Sequence, residues 1–379
     1  MAEAEQTPYG DPLGFAEGEW SDAADPAEEF GEAPEPEAPN ESPNELGHLL
    51  GDLLDLAARA MTRIKDVPPE TWQEIVEDPL SAALQCADAI GVKWERSLEH
   101  TLAFARARLA GDYAVDEFGF DPEFTEVVLL PILRLLAEKW FRVELRGADR
   151  LPAGGALLVA NHAGTLPLDA LVLHTVIHDA TGRHTRMLGA DNIFDTPYVA
   201  DFAARIGTAV ASPANAARLL DNGELVTVFP EGFKGLGKPY AERYRLQRFG
   251  RGGFVSTAVS AGVPIVPVAV VGSEEIYPML GDIAPLARLL GLPYVPVTPT
   301  FPWLGLLGAV PLPSKWIISI GEPIDTSAFA EPAEPGAPVE ADPVAVMRIT
   351  EQIRGRIQAR LHELLAERPN AFPHLSDLG

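Results

Sequence analysis

The sequence predicts an α/β fold: a mostly parallel central sheet flanked by helices, preceded by an α-helical N-terminal extension and a disordered acidic tail. Three observations carry this reading. From residue 141 onward, short runs rich in Val, Leu and Ile alternate with helical segments, as in βαβ units. Those runs (A-L-L-V-A at 156–160, L-V-T-V-F at 225–229, P-I-V-P-V-A-V-V at 264–271) are almost continuously apolar, so each strand is covered on both faces. Before 141 the apolar spacing is three and four residues, which marks amphipathic helices.

Four regions follow in order. Residues 1–45 are the tail. Residues 1–46 hold 14 acidic side chains, seven prolines, no Lys or Arg and few large apolar groups, too little apolar surface to offset the entropy of ordering. Residues 46–140 form the helical region. Leu46, Leu49, Leu50, Leu53, Leu54, Ala57, Met61 and Ile64 share one helix face, and further helices are expected at 69–91, 93–110 and 121–139. Their apolar faces cover a core by default, with a partner helix or a bilayer as the alternatives. Residues 141–330 are the α/β domain, with strands at 141–147, 156–160, 185–190, 225–229, 264–271 and 316–320. Its helices are expected at 168–179, 196–206, 213–221 and about 250–261. Residues 331–379 are a linker and an amphipathic helix over 343–366.

Charge and cysteine usage restrict the function. The 379 residues carry 29 Lys+Arg against 55 Asp+Glu, a net charge of −26. The tail supplies −14 of it, leaving −12 on the rest. An acidic chain is a poor nucleic-acid binder, because neutralising phosphates needs clustered cations. With Cys86 alone there is no intrachain disulfide, no Cys-based zinc site and no iron–sulfur cluster. The start M-A-E-A-E-Q lacks the features of a signal peptide, and no apolar run reaches the ~18–20 residues of a spanning helix. The expectation is a cytoplasmic protein not integral to the membrane.

In parallel α/β sheets the site forms at the carboxyl ends of strands. Two such ends carry chemistry. After Ala160 come Asn161 and His162, with Asp169 a short loop away. A carboxylate holding one imidazole nitrogen protonated leaves the other free to accept a proton. The competing reading is a structural His beside a helix N-cap Asp. After Phe229-Pro230 come Glu231 and Gly232, then Lys234, Lys238, Arg243, Arg245, Arg248 and Arg251. Six cations within 18 residues of an acidic chain suggest an anion site, and Gly252-Gly253 at a helix start suits phosphate. A solvated basic loop is the plainer alternative.

Together these segments resemble the glycerophospholipid acyltransferases, the PlsC-like lysophospholipid acyltransferase family. Asn161-His162 with Asp169 stands for its N-H-x4-D block, and Phe229-Pro230-Glu231-Gly232 for its F-P-E-G block. Phe249-Gly250-Arg251-Gly252-Gly253-Phe254 is similar to its F-K-K-G-A-F element, and Val263-Pro264-Ile265-Val266-Pro267 to its V-P-I-V-P strand. Order and spacing agree over about 145–325. The resemblance implies a glycerol-phosphate-acyltransferase-like fold and transfer of an acyl group from acyl-CoA or acyl-carrier protein to a lipid hydroxyl, with no further cofactor. By it His162 is the general base and Asp169 its orienting partner. Glu231 and Gly232 shape the acceptor pocket, Lys234 and Arg251 hold a phosphate, and Asn161 and Arg248 are further substrate-binding residues. It also implies a membrane surface as partner, reached peripherally from the cytoplasmic side, and lysophosphatidate as acceptor. Three features depart from the family pattern. Six residues, not four, separate His162 from Asp169; A-R-I-G-T-A-V-A-S offers Arg205 and Ser212 where the family carries an Arg near a Gly; and F-K replaces T-R after E-G. The run G-R-G-G-F…V-P-I-V-P-V-A-V-V-G-S-E-E-I-Y is also similar to diacylglycerol acyltransferases, which makes an uncharged acceptor the alternative; the lengthened His–Asp loop makes a non-catalytic lipid-binding homologue the other.

The remaining histidines receive no role. His174 and His178 lie four apart on a helix without a third ligand in view, so no metal is assigned. His48, His100, His184, His362 and His374 are isolated in sequence. The apolar, Pro-rich stretch 292–313 is either a loop covering the sheet or an interfacial surface presenting Phe301, Trp303, Leu304, Leu306 and Leu307.

Overall fold

A computed structural model describes residues 98–111, 113–163, 166–195, 197–283, 295–329, 342–368 and 370–372. The tail expected at 1–45, the helices expected over 46–64 and 69–91, and the linker at 331–341 lie outside the described residues.

Helix α1 (Leu98–Ala110) is the described part of the helix expected over 93–110. The next helical run, α2, extends from Pro122 to Trp140 and contains two π segments, Thr125–Leu129 and Leu136–Trp140. Asp121 caps its start by accepting the Phe124 N–H at 2.9 Å, and Pro122 occupies the first turn, where no N–H is needed. Pro131 inside the run has no N–H to give. Just ahead of it the ladder widens, and the Leu130 N–H reaches back to the Thr125 carbonyl.

The sheet contains β1 (Glu144–Arg146), β2 (Ala156–Ala160), β3 (Thr185–Gly189), β4 (Thr208–Val210), β5 (Leu225–Val228), β6 (Ile265–Val271) and β9 (Ile317–Ile320). A separate two-stranded ribbon pairs β7 (Gly281–Asp282) with β8 (Pro296–Val297). The main sheet runs in the order β1-β9-β6-β2-β5-β3-β4. The five strands from β6 to β4 are mutually parallel. β9 is antiparallel to β6 and parallel to β1, so two edge strands reverse direction. The first strand is shorter than the expected 141–147, because Arg142 adopts φ 47 and breaks the extended chain. Strand β4 was not anticipated, being only T-A-V.

Helices α3 (Leu168–Thr181), α4 (Asp191–Phe194), α5 (Pro197–Arg205), α6 (Pro213–Asp221), α7 (Phe233–Leu236), α8 (Gly253–Ser260) and α9 (Pro343–Glu367) complete the described elements with the single-turn segments between them. Alternating strand residues feed two cores. Leu157, Val159 and Val226 pack with Val255, Ile349, Ile353 and Ile357 from α8 and α9. On the other face Leu158, Ala160 and Val266 pack with Leu129, Leu133 and Ala137 of α2 and Val172, Leu173 and Ile177 of α3. The apolar face of α2 therefore covers a core. Each such fully buried Leu, Val or Ile is worth about 1.5–3 kcal/mol. No helix among the described residues is long and apolar enough to cross a membrane.

Gly252 shows how closely α9 is packed. It sits at φ 78, and a Cβ there would lie 2.5 Å from Thr350 Oγ1 and 2.6 Å from Val346 Cγ1. α9 thus fills the space beside Gly252 where a side chain would lie. Gly252→Ala is therefore expected to cost about 1–3 kcal/mol, through both overpacking and a strained backbone. Urea denaturation measures this, and an unchanged midpoint would contradict the packing.

Candidate active site

Strands β2 and β5 are neighbours in parallel register, with Val159 opposite Val228. The two chemistry-bearing segments therefore leave the sheet side by side. The His162 ring stacks on Phe229, with centroids 4.4 Å apart and planes at 29°. His162 Nδ1 lies 2.7 Å from Asp169 Oδ2. A carboxylate oxygen only accepts, so Nδ1 carries a proton, and in the neutral imidazole Nε2 is the nitrogen that can accept one. The His162 side chain is 13 % exposed, and that of Asp169 is fully buried.

Asp169 is not the helix cap. Pro167 holds that position, and Asp169 lies in the first turn of α3, where the helix dipole favours a carboxylate. Its Oδ2 also accepts the Ala163 N–H at 2.9 Å, and its Oδ1 accepts the Ala170 N–H at 2.8 Å. The six-residue spacing thus still delivers the carboxylate to the imidazole, and the His–Asp arrangement prevails over the capping alternative.

Glu231 holds the two strand ends together from beneath. Its Oε1 accepts the His162 backbone N–H at 3.1 Å and its Oε2 accepts the Gln247 N–H at 2.7 Å. Lys238 Nζ lies 3.3 Å from Glu231 Oε2 and 3.2 Å from Glu274 Oε2. Glu274 in turn accepts the Tyr244 N–H at 2.9 Å. One ammonium is thus shared by two buried glutamates. Burial raises the Glu274 carboxyl to about 7, with Lys238 opposing and Glu231 adding to the rise. For Lys238, burial pulls the pKa down, but Glu274 and Glu231 outweigh it and the net shift is upward.

The other expected residues fall into two groups. Asn161 is fully buried, and its side chain spans the β2–β6 pair, donating to the Val270 carbonyl at 2.9 Å and accepting the Val270 N–H at 2.8 Å. Expected to bind substrate, it instead extends the sheet and is fully buried. Glu231 was expected to shape the acceptor pocket, and it acts from below through backbone N–H groups. Gly232 makes the tight turn at φ 54. Gly235 follows so closely that a Cβ would lie 2.8 Å from the Glu231 Cβ and 3.2 Å from the His162 carbonyl. Lys234, Arg248 and Arg251 are exposed. The expected cluster of six cations is reduced, because Lys238 is interior and Arg243 packs over the Tyr240 ring at 4.3 Å. Glu274 escaped the sequence reading, although a Glu pair just beyond the buried strand β6 was its signal. A small cavity beside this network is lined by Ala163, Gly235, Lys238, Tyr240, Arg243 and Glu274.

The family model described as Acyltransferase matches residues 142–271, which include both strand ends. An uncharacterized protein of Mycobacterium leprae is 50% identical over 304 residues, covering 79% of this chain and 78% of that protein. The chain belongs to the acyltransferase family. A more distant relative is the chicken (Gallus gallus) protein named DGAT1/2-independent enzyme synthesizing storage lipids. It is 26% identical over 224 residues, covering 59% of this chain and 64% of that one. A solved structure of the 1-acyl-sn-glycerophosphate (LPA) acyltransferase PlsC from Thermotoga maritima aligns with a TM-score of 0.40 at 17% identity. It covers 63% of this chain and 82% of its own.

The buried triad of this acyltransferase has a pH signature. Glu274 keeps its proton in the folded chain up to about pH 7, while the unfolded chain releases it near the ordinary 4.5. The stability tied to that proton is complete below pH 4.5 and declines as pH rises through 7, by on the order of 3 kcal/mol. Glu274→Gln should remove this decline. Equal slopes of unfolding free energy against pH for both proteins would contradict it.

Proposed function

We propose that this acyltransferase moves a fatty acyl group from a thioester, acyl-CoA or acyl-carrier protein, to the hydroxyl of a lysophospholipid, most directly lysophosphatidate. The observation that carries the reading is the His162–Asp169 pair, with Nε2 left as the proton acceptor at a strand mouth. As the acceptor oxygen attacks the thioester carbonyl, Nε2 takes its proton and Asp169 stabilises the imidazolium. Collapse of the tetrahedral intermediate breaks the carbon–sulfur bond, and the departing thiolate recovers the proton from His162. No covalent enzyme intermediate or further cofactor enters this scheme.

Two placements support a phosphate-bearing substrate. Lys234 lies on α7, whose Gly235 abuts the His162 carbonyl, and Arg248 follows Gln247, which is bonded to Glu231. Arg251 stands three residues further on, before α8. Charge-assisted bonds from such cations suit phosphate oxygens. A second reading, an uncharged acceptor such as diacylglycerol, is favoured by the neutralisation of Lys238 between Glu231 and Glu274, and by the chicken relative named for storage-lipid synthesis.

The lipid substrate is met at a membrane surface, in this proposal peripherally from the cytoplasmic side. The segment 295–312 is anchored at several points: Trp140 Nε1 donates to the Pro311 carbonyl at 2.9 Å, and Tyr277 Oη to the Ala309 carbonyl at 2.6 Å. Trp303, at its turn, is nevertheless 73 % exposed and Val310 is 48 % exposed. An indole on an anchored turn suits the headgroup zone.

His162→Ala is expected to lower kcat by about 10²–10⁴-fold in an assay of thiol release, and Asp169→Asn to impair it strongly; unchanged turnover in His162→Ala would sink the mechanism. A panel of lysophosphatidate, other lysolipids and diacylglycerol separates the two acceptor readings. With Lys234→Ala and Arg251→Ala, KM for the phosphate-bearing substrate should rise, and unaltered KM values would remove the anion-site assignment. Trp303→Ser should weaken co-sedimentation with phospholipid vesicles while leaving the melting temperature unchanged; undiminished binding would move the membrane contact elsewhere.

A further inference from the structure

His184 was isolated in sequence, and His174 and His178 lacked a third ligand. Folding changes that. The turn after α3 brings His184 back beside the helix it has just left, with the His178 and His184 rings 4.5 Å apart. Glu126, from the first π segment of α2, reaches both. Its Oε1 lies 3.4 Å from His184 Nε2 and 3.8 Å from His178 Nε2. π turns of this kind recur at functional positions. Two imidazole nitrogens and one carboxylate oxygen thus lie within 4.8 Å of one another. Tetrahedral zinc, with bonds of about 2.0–2.1 Å, sets neighbouring ligand atoms about 3.4 Å apart, close to the two carboxylate–imidazole distances of 3.4 and 3.8 Å.

The hydrogen-bond chain behind the site decides which nitrogens are available. His174 Nδ1 faces the Thr185 carbonyl at 3.0 Å, so it carries the hydrogen. His174 is 1 % exposed, and His184 Nδ1 stands 3.4 Å from its Nε2, so the inner nitrogen of His184 is turned to His174 and its Nε2 faces the Glu126 carboxylate at 3.4 Å. For His184 the arrangement also matches how metal-bound histidines are oriented, with the non-ligating nitrogen facing a second group, His174.

Nearby charges are already engaged. Asp179, 3.6 Å from His178 Nδ1, is bonded to Arg134 at 2.6 Å. Arg186 is paired with Asp116 at 2.6 Å and lies over the Phe120 ring. The His178 and His184 side chains are 14 % and 15 % exposed and Glu126 is 56 % exposed, so an ion can enter from solvent.

We infer that Glu126, His178 and His184 form a binding site for a divalent transition metal, zinc first, with water as the fourth ligand and His174 as a positioning residue. Mixed imidazole and carboxylate donors favour zinc over magnesium or calcium. The site is structural. It ties α2 and α3 to the start of β3, and nine residues of α3, about 14 Å, separate His178 from Asp169.

The test uses the full chain, purified without a polyhistidine tag, stripped of metal and titrated with Zn²⁺ against a chromophoric chelator. One equivalent should bind, and saturation should raise Tm by about 5 °C. Glu126→Gln, His178→Gln and His184→Gln should each weaken binding at least tenfold. Co²⁺ in the unsubstituted chain should give the intense visible bands of a four-coordinate site without a thiolate charge-transfer band, a readout that does not depend on any variant folding. The absence of stoichiometric binding would overturn the inference, leaving an imidazolium–carboxylate pair. So would full retention of affinity in the doubly substituted His178→Gln/His184→Gln chain, or a thiolate band that points to Cys86.

Discussion

A single buried carboxylate sets the geometry at the lip of the sheet. Glu231 has no exposed side-chain surface, so its carboxyl oxygens must find partners where they stand. The partners come from three directions: the His162 N–H at the end of β2, the Gln247 N–H in the following loop, and Lys238 beyond α7. Each bond that satisfies the carboxylate also fixes a segment of the site. The position of the His162 backbone, and with it the direction in which its ring meets Asp169, follows from meeting the hydrogen-bonding needs of a group that is not itself at the surface. Lys238 then brings in Glu274 from the end of β6, so the carboxyl ends of three adjacent strands share one charge network.

Helix α3 passes the consequences on to the rest of the domain. Its first turn supplies Asp169 and its middle buries Val172, Leu173 and Ile177 against the sheet. Its last turns carry His174 and His178, beside His184 and Glu126. The same rod thus bears the group that orients the imidazole and a cluster of metal-binding type at its far end. On the opposite face α9 presses on Gly252 closely enough to exclude any side chain, and Arg368 just after it pairs with the buried Glu275, next to Glu274. The C-terminal helix is therefore part of the domain core.

Much of the architecture was legible because parallel strands buried on both faces leave near-continuous aliphatic runs. β2, β5, β6 and β9 fell within a residue or so of their expected limits, and α6 ended where Asp221 and Asn222 interrupt the apolar pattern. The three-residue β4 left too little pattern to read, and Arg142 shortened β1 through a backbone angle that no side-chain periodicity reports. In the candidate site, the proximity of His162 and Asp169 was legible because they flank one short loop. The roles of Asn161 and Lys238 were not. Asn161 looks like a polar residue at a strand mouth, but it is drawn into the interior by the β6 backbone, 109 residues away. Lys238 reads as one more cation in a basic run, but it turns inward to two glutamates.

The sequence alone determined the fold class, the two strand ends that bear chemistry, and the family, because each rests on residues close together in the chain: apolar runs of strand length, an Asn-His with an Asp one loop away, and a Phe-Pro-Glu-Gly turn. Tertiary structure decided what joins separate segments. It selected the cations that face inward, assigned Asn161 to the sheet, set one ammonium between two glutamates, and brought Glu126 to His178 and His184 across 52 and 58 positions of sequence. The physical reason is the cost of burial. A buried polar group must find partners wherever the fold puts them, and which partners are near is a property of strand order and helix packing, on which local sequence is silent.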